Sequence, residues 1–200
     1  MGESATIEDV AWASTNTPLT VSALNEFCTD IERLFRINPM LEFELWDSRD
    51  ENHFTFAGRN ISQEQPFDFQ FELSVRKLGN GFRIDYDKGI KSSTTFTIEP
   101  APQGSKLTIT DSYERLPPEE RSTHIHEVDK SLVLWSQYLQ QYLVNWQRWS
   151  RFRLWRWYMR RVWQPMKPAG RRITYMLLWI SAAEIALIAL GAAIYFIEYA

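Results

Sequence analysis

The sequence predicts an α+β fold: an antiparallel sheet of about seven strands wrapped on a long C-terminal helix, followed by a single transmembrane helix. Three observations carry this. Six short runs between residues 41 and 109 alternate apolar and polar residues, as half-buried strands do. One run before them and one after repeat apolar residues at helical spacing. The chain then ends in the 25 residues Ile173 to Ile197, which carry one charge, Glu184.

The first residues, MGESATIEDV, are polar and acidic and lack both the basic and the apolar region of a secretory signal. Met1 and Gly2 with Thr6 fit a loose N-myristoylation pattern, but an acid follows directly, and the match reads as chance. A weak strand around Val10 to Ser14 comes next. After Pro18, with Thr20 or Ser22 as N-cap, Leu24, Phe27, Ile31, Leu34 and Phe35 predict one helix that Asn38 and Pro39 end.

The strands follow at hairpin spacing: Leu41 to Leu45, Phe54 to Phe56, FDFQFELSVR over 67–76, Phe82 to Tyr86, Thr94 to Ile98 and Leu107 to Ile109. In the clearest of them, Phe67, Phe69, Phe71, Leu73 and Val75 fall on one face and only polar residues on the other. Leu78, Gly79, Asn80 and Gly81 form the turn to the next strand. Such a meander has one apolar face that another layer must cover. The cover is the helix that starts at Pro117, Pro118, Glu119 and Glu120 and carries Ile125, Val128, Leu132, Trp135, Leu139, Leu143, Trp146 and Trp149 on one side.

One strand, a helical insertion, a six-stranded meander and a long C-terminal helix laid across the sheet resemble the START-like helix-grip fold, the SRPBCC superfamily of polyketide cyclases, lipid-transfer domains and coenzyme-Q-binding proteins. The resemblance spans roughly residues 5 to 147 and rests on element order. It implies a cavity between sheet and helix for a hydrophobic ligand, a lipid, quinone or isoprenoid. Most members have no membrane anchor, and here the last helix is expected to run on past the domain.

The inward aromatics Phe54, Phe56, Phe69, Phe71, Phe82, Tyr86 and Phe96, facing Trp135, Leu139 and Trp146, are the candidate ligand-binding residues. Two readings stand: these side chains line a pocket, or they fill the core, as alternating aromatics in sheets often do. No catalytic constellation is visible. His124 and His126, two apart on a helix, point to different sides, and His53 sits in a turn with no visible partner. There is no phosphate loop, nucleophile elbow or zinc motif, so no metal and no cofactor is predicted beyond a bound lipid or quinone. The single cysteine, Cys28, permits no internal disulfide.

Charge divides the chain. Residues 1–147 hold 13 Lys+Arg against 23 Asp+Glu, a net of -10; residues 148–172 hold 9 basic residues and no acid. The expected organisation is a cytoplasmic domain over 1–147, a basic aromatic collar over 148–172 and a transmembrane helix over 173–197, with the C-terminus on the opposite side. Pro165, Pro168 and Gly170 provide the corner before the span. An acidic body beside the collar argues against nucleic acid as a partner. Membrane lipids fit instead, with Arg151, Arg153, Trp155, Arg156, Arg160, Arg161, Trp163, Arg171 and Arg172 at the membrane interface. On a helical wheel Phe152, Trp155, Met159, Val162 and Trp163 share the side expected to meet lipid, leaving Leu154 and Trp157 for a partner protein. Within the span, Glu184 with Ile188 and Gly191 forms a face that either stands alone, its carboxyl protonated, or docks on another membrane protein or a second copy. The functional expectation is a membrane-anchored domain that binds or presents a hydrophobic ligand; the alternative is an accessory or assembly subunit of a membrane complex, with an enzyme third.

Overall fold

The computed structural model describes residues 10–63, 65–115 and 118–199, and over 118–130 the backbone alone. Outside the described residues lie MGESATIED with its Gly2 and Thr6, Pro117 of the expected helix start, and the side chains of His124, Ile125, His126 and Val128. Seven strands, β1 (Val10–Thr17), β2 (Leu41–Ser48), β3 (His53–Asn60), β4 (Phe67–Leu78), β5 (Gly81–Tyr86), β6 (Ser93–Ala101) and β7 (Gly104–Ser112), form one sheet in the order β1-β7-β6-β5-β4-β3-β2. Every neighbouring pair is antiparallel, so β2 to β7 are a plain meander and β1 closes its far edge.

The expected N-terminal helix is two, α1 (Val21–Cys28) and α2 (Ile31–Ile37). Thr20 caps the first by accepting the N–H of Ala23, and Asp30 interrupts the run by capping the second through the N–H of Arg33. Leu24, Phe27, Ile31, Leu34 and Phe35 are all buried despite the break. The periodicity is a true signal of burial, and the Thr29–Asp30 step is the signal of the interruption.

Helix α3 (Pro118–Trp149) covers the apolar face. Leu132, Trp135, Leu139 and Leu143, spaced three and four apart, are each at most 2% exposed. Burying each such side chain stabilises the fold by about 1.5–3 kcal/mol. The Trp135 ring meets Phe35 and Phe96 at 5.5 and 5.6 Å, and its indole N–H donates to the Leu34 carbonyl at 3.0 Å. Gln140 and Gln147 reach from the same helix to the carbonyls of Asn16 and Pro18, tying its C-terminal half to the end of β1.

Contrary to expectation, the long helix does not run on into the collar. Trp149 is 42% exposed, since the apolar stripe has left the sheet by then, and the chain turns at Ser150 to Phe152. Helix α4 (Arg153–Tyr158) and a π-helical turn (Met159–Trp163) fold back, and helix α5 (Pro168–Tyr199) follows. Pro168 is the first residue of α5, a position where its missing N–H costs nothing, so Arg171 and Arg172 lie inside the helix. Helix α5 is long and apolar enough to cross a membrane, and no part of its most apolar stretch is buried.

Candidate functional site: a cavity under α3 and a folded-back collar

Pairing of β3 with β4 sets Phe56 opposite Phe71 and Gly58 opposite Phe69, which brings three inward rings together. Phe69 and Phe71 stack at 5.4 Å with Phe56 tilted against both, and Tyr86 of β5 meets Phe71 edge-on at 6.0 Å. Between this wall and α3 remains a cavity of about 180 Å³, closed on the helix side by Trp135 and Ser131 and on the third side by Phe35 and Leu41. Gly89, at φ +96°, passes so close over Phe71 that a β-carbon would lie 2.7 Å from its ring; only glycine lets this turn roof the cavity. The rim includes Asn60, Ser62, Gln63, Phe67 and Lys88.

One end of the cavity is polar. Leu107, Ile109 and Asp111 alternate onto the inner face of β7, so the carboxylate of Asp111 is fully buried. Lys91 forms an ion pair with Asp111 and itself lines the cavity. Thr94 donates to the other carboxylate oxygen at 2.5 Å, and Tyr113 donates to Asp111 at 3.4 Å. Because the Thr94 proton goes to Asp111, the Tyr86 hydroxyl, 2.9 Å from Thr94, is the donor in that contact. Burial, reinforced by the charge of Asp111, pushes the Tyr86 phenol well above its ordinary range, so it stays protonated. A buried carboxylate without a counter-charge would be strongly destabilising; Lys91 supplies it, and an ammonium has further N–H groups for an acceptor oxygen in the cavity.

Of the ten candidate ligand residues, Phe56, Phe69, Phe71, Tyr86 and Trp135 line this cavity. The other five do not. Phe82 and Phe96 stack at 4.6 Å in the solid core, Leu139 is fully buried, and Phe54 packs on Trp46 at 5.7 Å. Trp146 belongs to a second aromatic group with Phe27, Tyr142 and Trp155. The space between sheet and helix is thus filled where Phe82 and Phe96 stack and open beside Phe69 and Phe71. Sequence reasoning missed Phe35, Ile90, Lys91 and Asp111. Asp111 alone left a signal, an acid in register with Leu107 and Ile109 on an apolar face. His53, expected to stand alone, has a partner: its Nδ1 lies 2.8 Å from an Asp50 oxygen. The Asn52 N–H first, and then that contact, hold the Asp50 carboxyl below the usual carboxylate range.

The collar is turned around relative to expectation. Trp155, Met159 and Trp163, assigned to lipid, pack on the domain: Trp155 on Trp146 at 5.7 Å, Trp163 on Tyr142 at 5.4 Å, with Met159 buried. An aromatic surface left beside Tyr142 and Trp146 is a closer apolar partner than a bilayer, and the turn at Ser150 lets the collar reach it. Leu154 and Trp157, expected to be reserved for another protein, are 77% and 56% exposed. Arg151, Arg153, Arg156, Arg160, Arg161 and Arg172 are exposed, whereas Arg171 is half-buried. Its guanidinium lies 4.0 Å over the Trp163 ring and donates to the carbonyls of Trp163, Gln164 and Arg36, at 3.0, 2.9 and 2.5 Å. It pins the base of α5 to the end of α2. Glu184, Ile188 and Gly191 are exposed on α5, and a β-carbon at Gly191 would meet nothing within 4 Å.

No protein-family model matches the chain, and no curated protein matches it in sequence. Solved structures do match. A protein of Thermus thermophilus, TTHA0849, superposes with a TM-score of 0.53 at 15% identity, covering 66% of this chain and 94% of its own. A protein of Rhodobacter sphaeroides gives a TM-score of 0.50 at 13% identity, covering 70% and 95%. The di-domain ARO/CYC StfQ from the steffimycin biosynthetic pathway gives 0.50 at 9% identity, covering 70% of this chain and 52% of its own. With a seven-stranded antiparallel sheet, a long helix across it and these neighbours, the chain has the START-like helix-grip fold, extended by a C-terminal helix apolar enough to span a membrane.

Proposed function

We propose that this protein is a membrane-tethered helix-grip domain that takes a hydrophobic molecule, a lipid, quinone or isoprenoid, from the bilayer by its ring or head. The observation that carries this is how close the cavity wall lies to the root of α5. Asn38, Leu41, Asn60 and Ser62 line it, while the intervening Pro39, Met40 and Ile61 line a groove that ends at Pro168 and Arg171, the root of α5. The two faces of the same two segments line the cavity and the groove at the anchor. Tethering there holds the cavity close to where apolar ligands are dissolved.

A volume of about 180 Å³ accepts a ring-sized group and not a whole lipid. In this reading the apolar body lies on Phe69 and Phe71, an oxygen faces Lys91, and any tail leaves past Phe67. In this reading the domain lies on the cytoplasmic side, which the basic collar beside the span supports.

The test is native mass spectrometry of full-length protein purified gently from membranes, beside Ser131→Phe, which puts a ring into the cavity from α3. The expected result is a stoichiometric apolar ligand bearing an oxygen, lost in Ser131→Phe with the fold intact. A ligand-free native protein overturns the proposal. It would favour the second reading, an assembly subunit that docks through the exposed Glu184, Ile188 and Gly191 face.

A further inference from the structure

The cavity leaves a second concavity unexplained. Between α3, the folded-back collar and the first turns of α5 lies a groove of about 810 Å³, within the range of small-molecule sites. Its wall is aromatic, and several of its rings stay partly open to solvent: Tyr138, Trp149 and Tyr175 are 41%, 42% and 63% exposed. Asn145 and Gln141 add amide groups along α3.

The charge at its lower end is unbalanced. Arg171 is half-buried there with three neutral carbonyls and a ring as partners, and no carboxylate of the described residues lies within 4.0 Å of it. Neighbouring cations are already committed: Arg36 to Glu32 at 2.6 Å, Lys167 to Glu42 at 3.6 Å. Arg172 follows on the same groove, exposed, and residues 148–172 contain no acid to answer either. A partly desolvated guanidinium without a counter-ion favours an anion, and arginine's planar fork suits phosphate oxygens.

The groove is also continuous with α5: its lip at Tyr175 leads to Trp179 and the apolar stretch beyond, the two rings 6.3 Å apart. A phosphate arriving with an apolar tail therefore finds both halves of its chemistry in one place, charge at Arg171 and Arg172 and an unbroken apolar path along the helix. A free phosphate would use only the first.

We infer that this groove binds an anionic membrane phospholipid, its phosphate on Arg171 and Arg172 and its upper chain against the Trp155, Trp163 and Tyr175 wall. The inference rests on the proposed membrane anchor. The bound lipid would pack against Met40 and Ile61, whose chain neighbours Leu41, Asn60 and Ser62 line the cavity.

The experiment uses full-length protein in nanodiscs of equal phosphatidylglycerol and phosphatidylcholine, released into the mass spectrometer. The expected result is one phosphatidylglycerol retained per chain in clear preference to phosphatidylcholine. Arg172→Gln lowers that retention about fivefold, as loss of one interfacial cation should, and Gln141→Trp, which fills the groove, abolishes it. Both variants keep the native circular dichroism and melting profile, because neither residue is buried. Equal retention of the two lipids, or retention unchanged by both variants, overturns the inference. So does loss of phosphatidylglycerol only in Ser131→Phe, which would move the lipid into the cavity. Failure of the anchor itself looks different: the protein is then released from membranes by alkaline carbonate before any lipid is counted.

Discussion

Helices α3 and α5 each have 32 residues, and the protein treats them as opposites. In α3, apolar residues recur every three or four positions among charged and amide residues, so one side seats on the sheet and the other meets water. In α5 the apolar residues go all the way round, and nothing in the domain covers them: Leu187 and Ile188 are 68% and 73% exposed. Length does not separate a core helix from one apolar enough to cross a membrane. The distribution of polar residues around the axis does, because a helix without a polar stripe has no side on which water is acceptable.

The comparison breaks most readily at Trp135, where α3 meets both the sheet and α2. Trp135→Ala removes a ring in contact with Phe35 and Phe96 and leaves the Leu34 carbonyl without its donor. The expected loss is about 3–5 kcal/mol, enough to unfold a marginal domain. Urea unfolding followed by tryptophan fluorescence measures it, and a loss below about 1 kcal/mol would mean that α3 does not grip the sheet as described.

The matching change in α5 leaves the domain alone. Leu187→Arg, near the middle of the apolar stretch, should make insertion less favourable by about 2.5–3.5 kcal/mol and shift protein out of the membrane fraction. Glu184→Leu, one turn earlier, should have the opposite sign or no effect on that fraction. Neither alters the urea midpoint of the domain, since both positions are exposed. A domain destabilised by Leu187→Arg would show that α5 packs on it after all.

How much of this was legible depended on whether a residue's role was periodic. The strands, the α3 stripe and the apolar tail are period-two, period-3.6 and unbroken patterns, and each emerges from spacing alone. The collar does not. Trp155, Met159 and Trp163 lie on one helical face, but that periodicity is satisfied equally by a bilayer and by the ring surface of Tyr142 and Trp146, and only the turn at Ser150 decides between them. The cavity lies between these cases. Alternation identified the inward aromatics, yet whether a given ring lines space or fills it depends on cross-strand pairing: Phe82 meets Phe96 face to face and closes the gap, whereas Gly58 stands opposite Phe69 and contributes no side chain. Lys91, in a loop, left no pattern.

Alkaline pH separates the helices in a third way. Burial pushes the Cys28 thiol up to about 12, partly offset by Arg33, and the Tyr142 phenol of α3, whose ring packs on Phe27 beside Cys28, is pushed up to about 12, also by burial first. Both groups are thus neutral in the folded state at a pH where the unfolded chain has begun to lose their protons, at ordinary values of 9 and 10. Their contribution is fully present below pH 9 and declines as pH rises from there toward 12, because the unfolded state then binds fewer protons than the folded one. Each group lowers stability by at most about 1.4 kcal/mol per pH unit in that window. The melting temperature of the domain should therefore fall between pH 9 and 11. In Cys28→Ala combined with Tyr142→Phe that slope should flatten, leaving a remainder from Tyr86, whose pKa burial also raises. Membrane retention through α5 should not change over the same range, since the most apolar stretch of that helix is fully outside the domain. If the double variant keeps the full alkaline slope, the groups under α3 are not what pH acts on, and the seat of α3 against α1 is wetter than its burial implies.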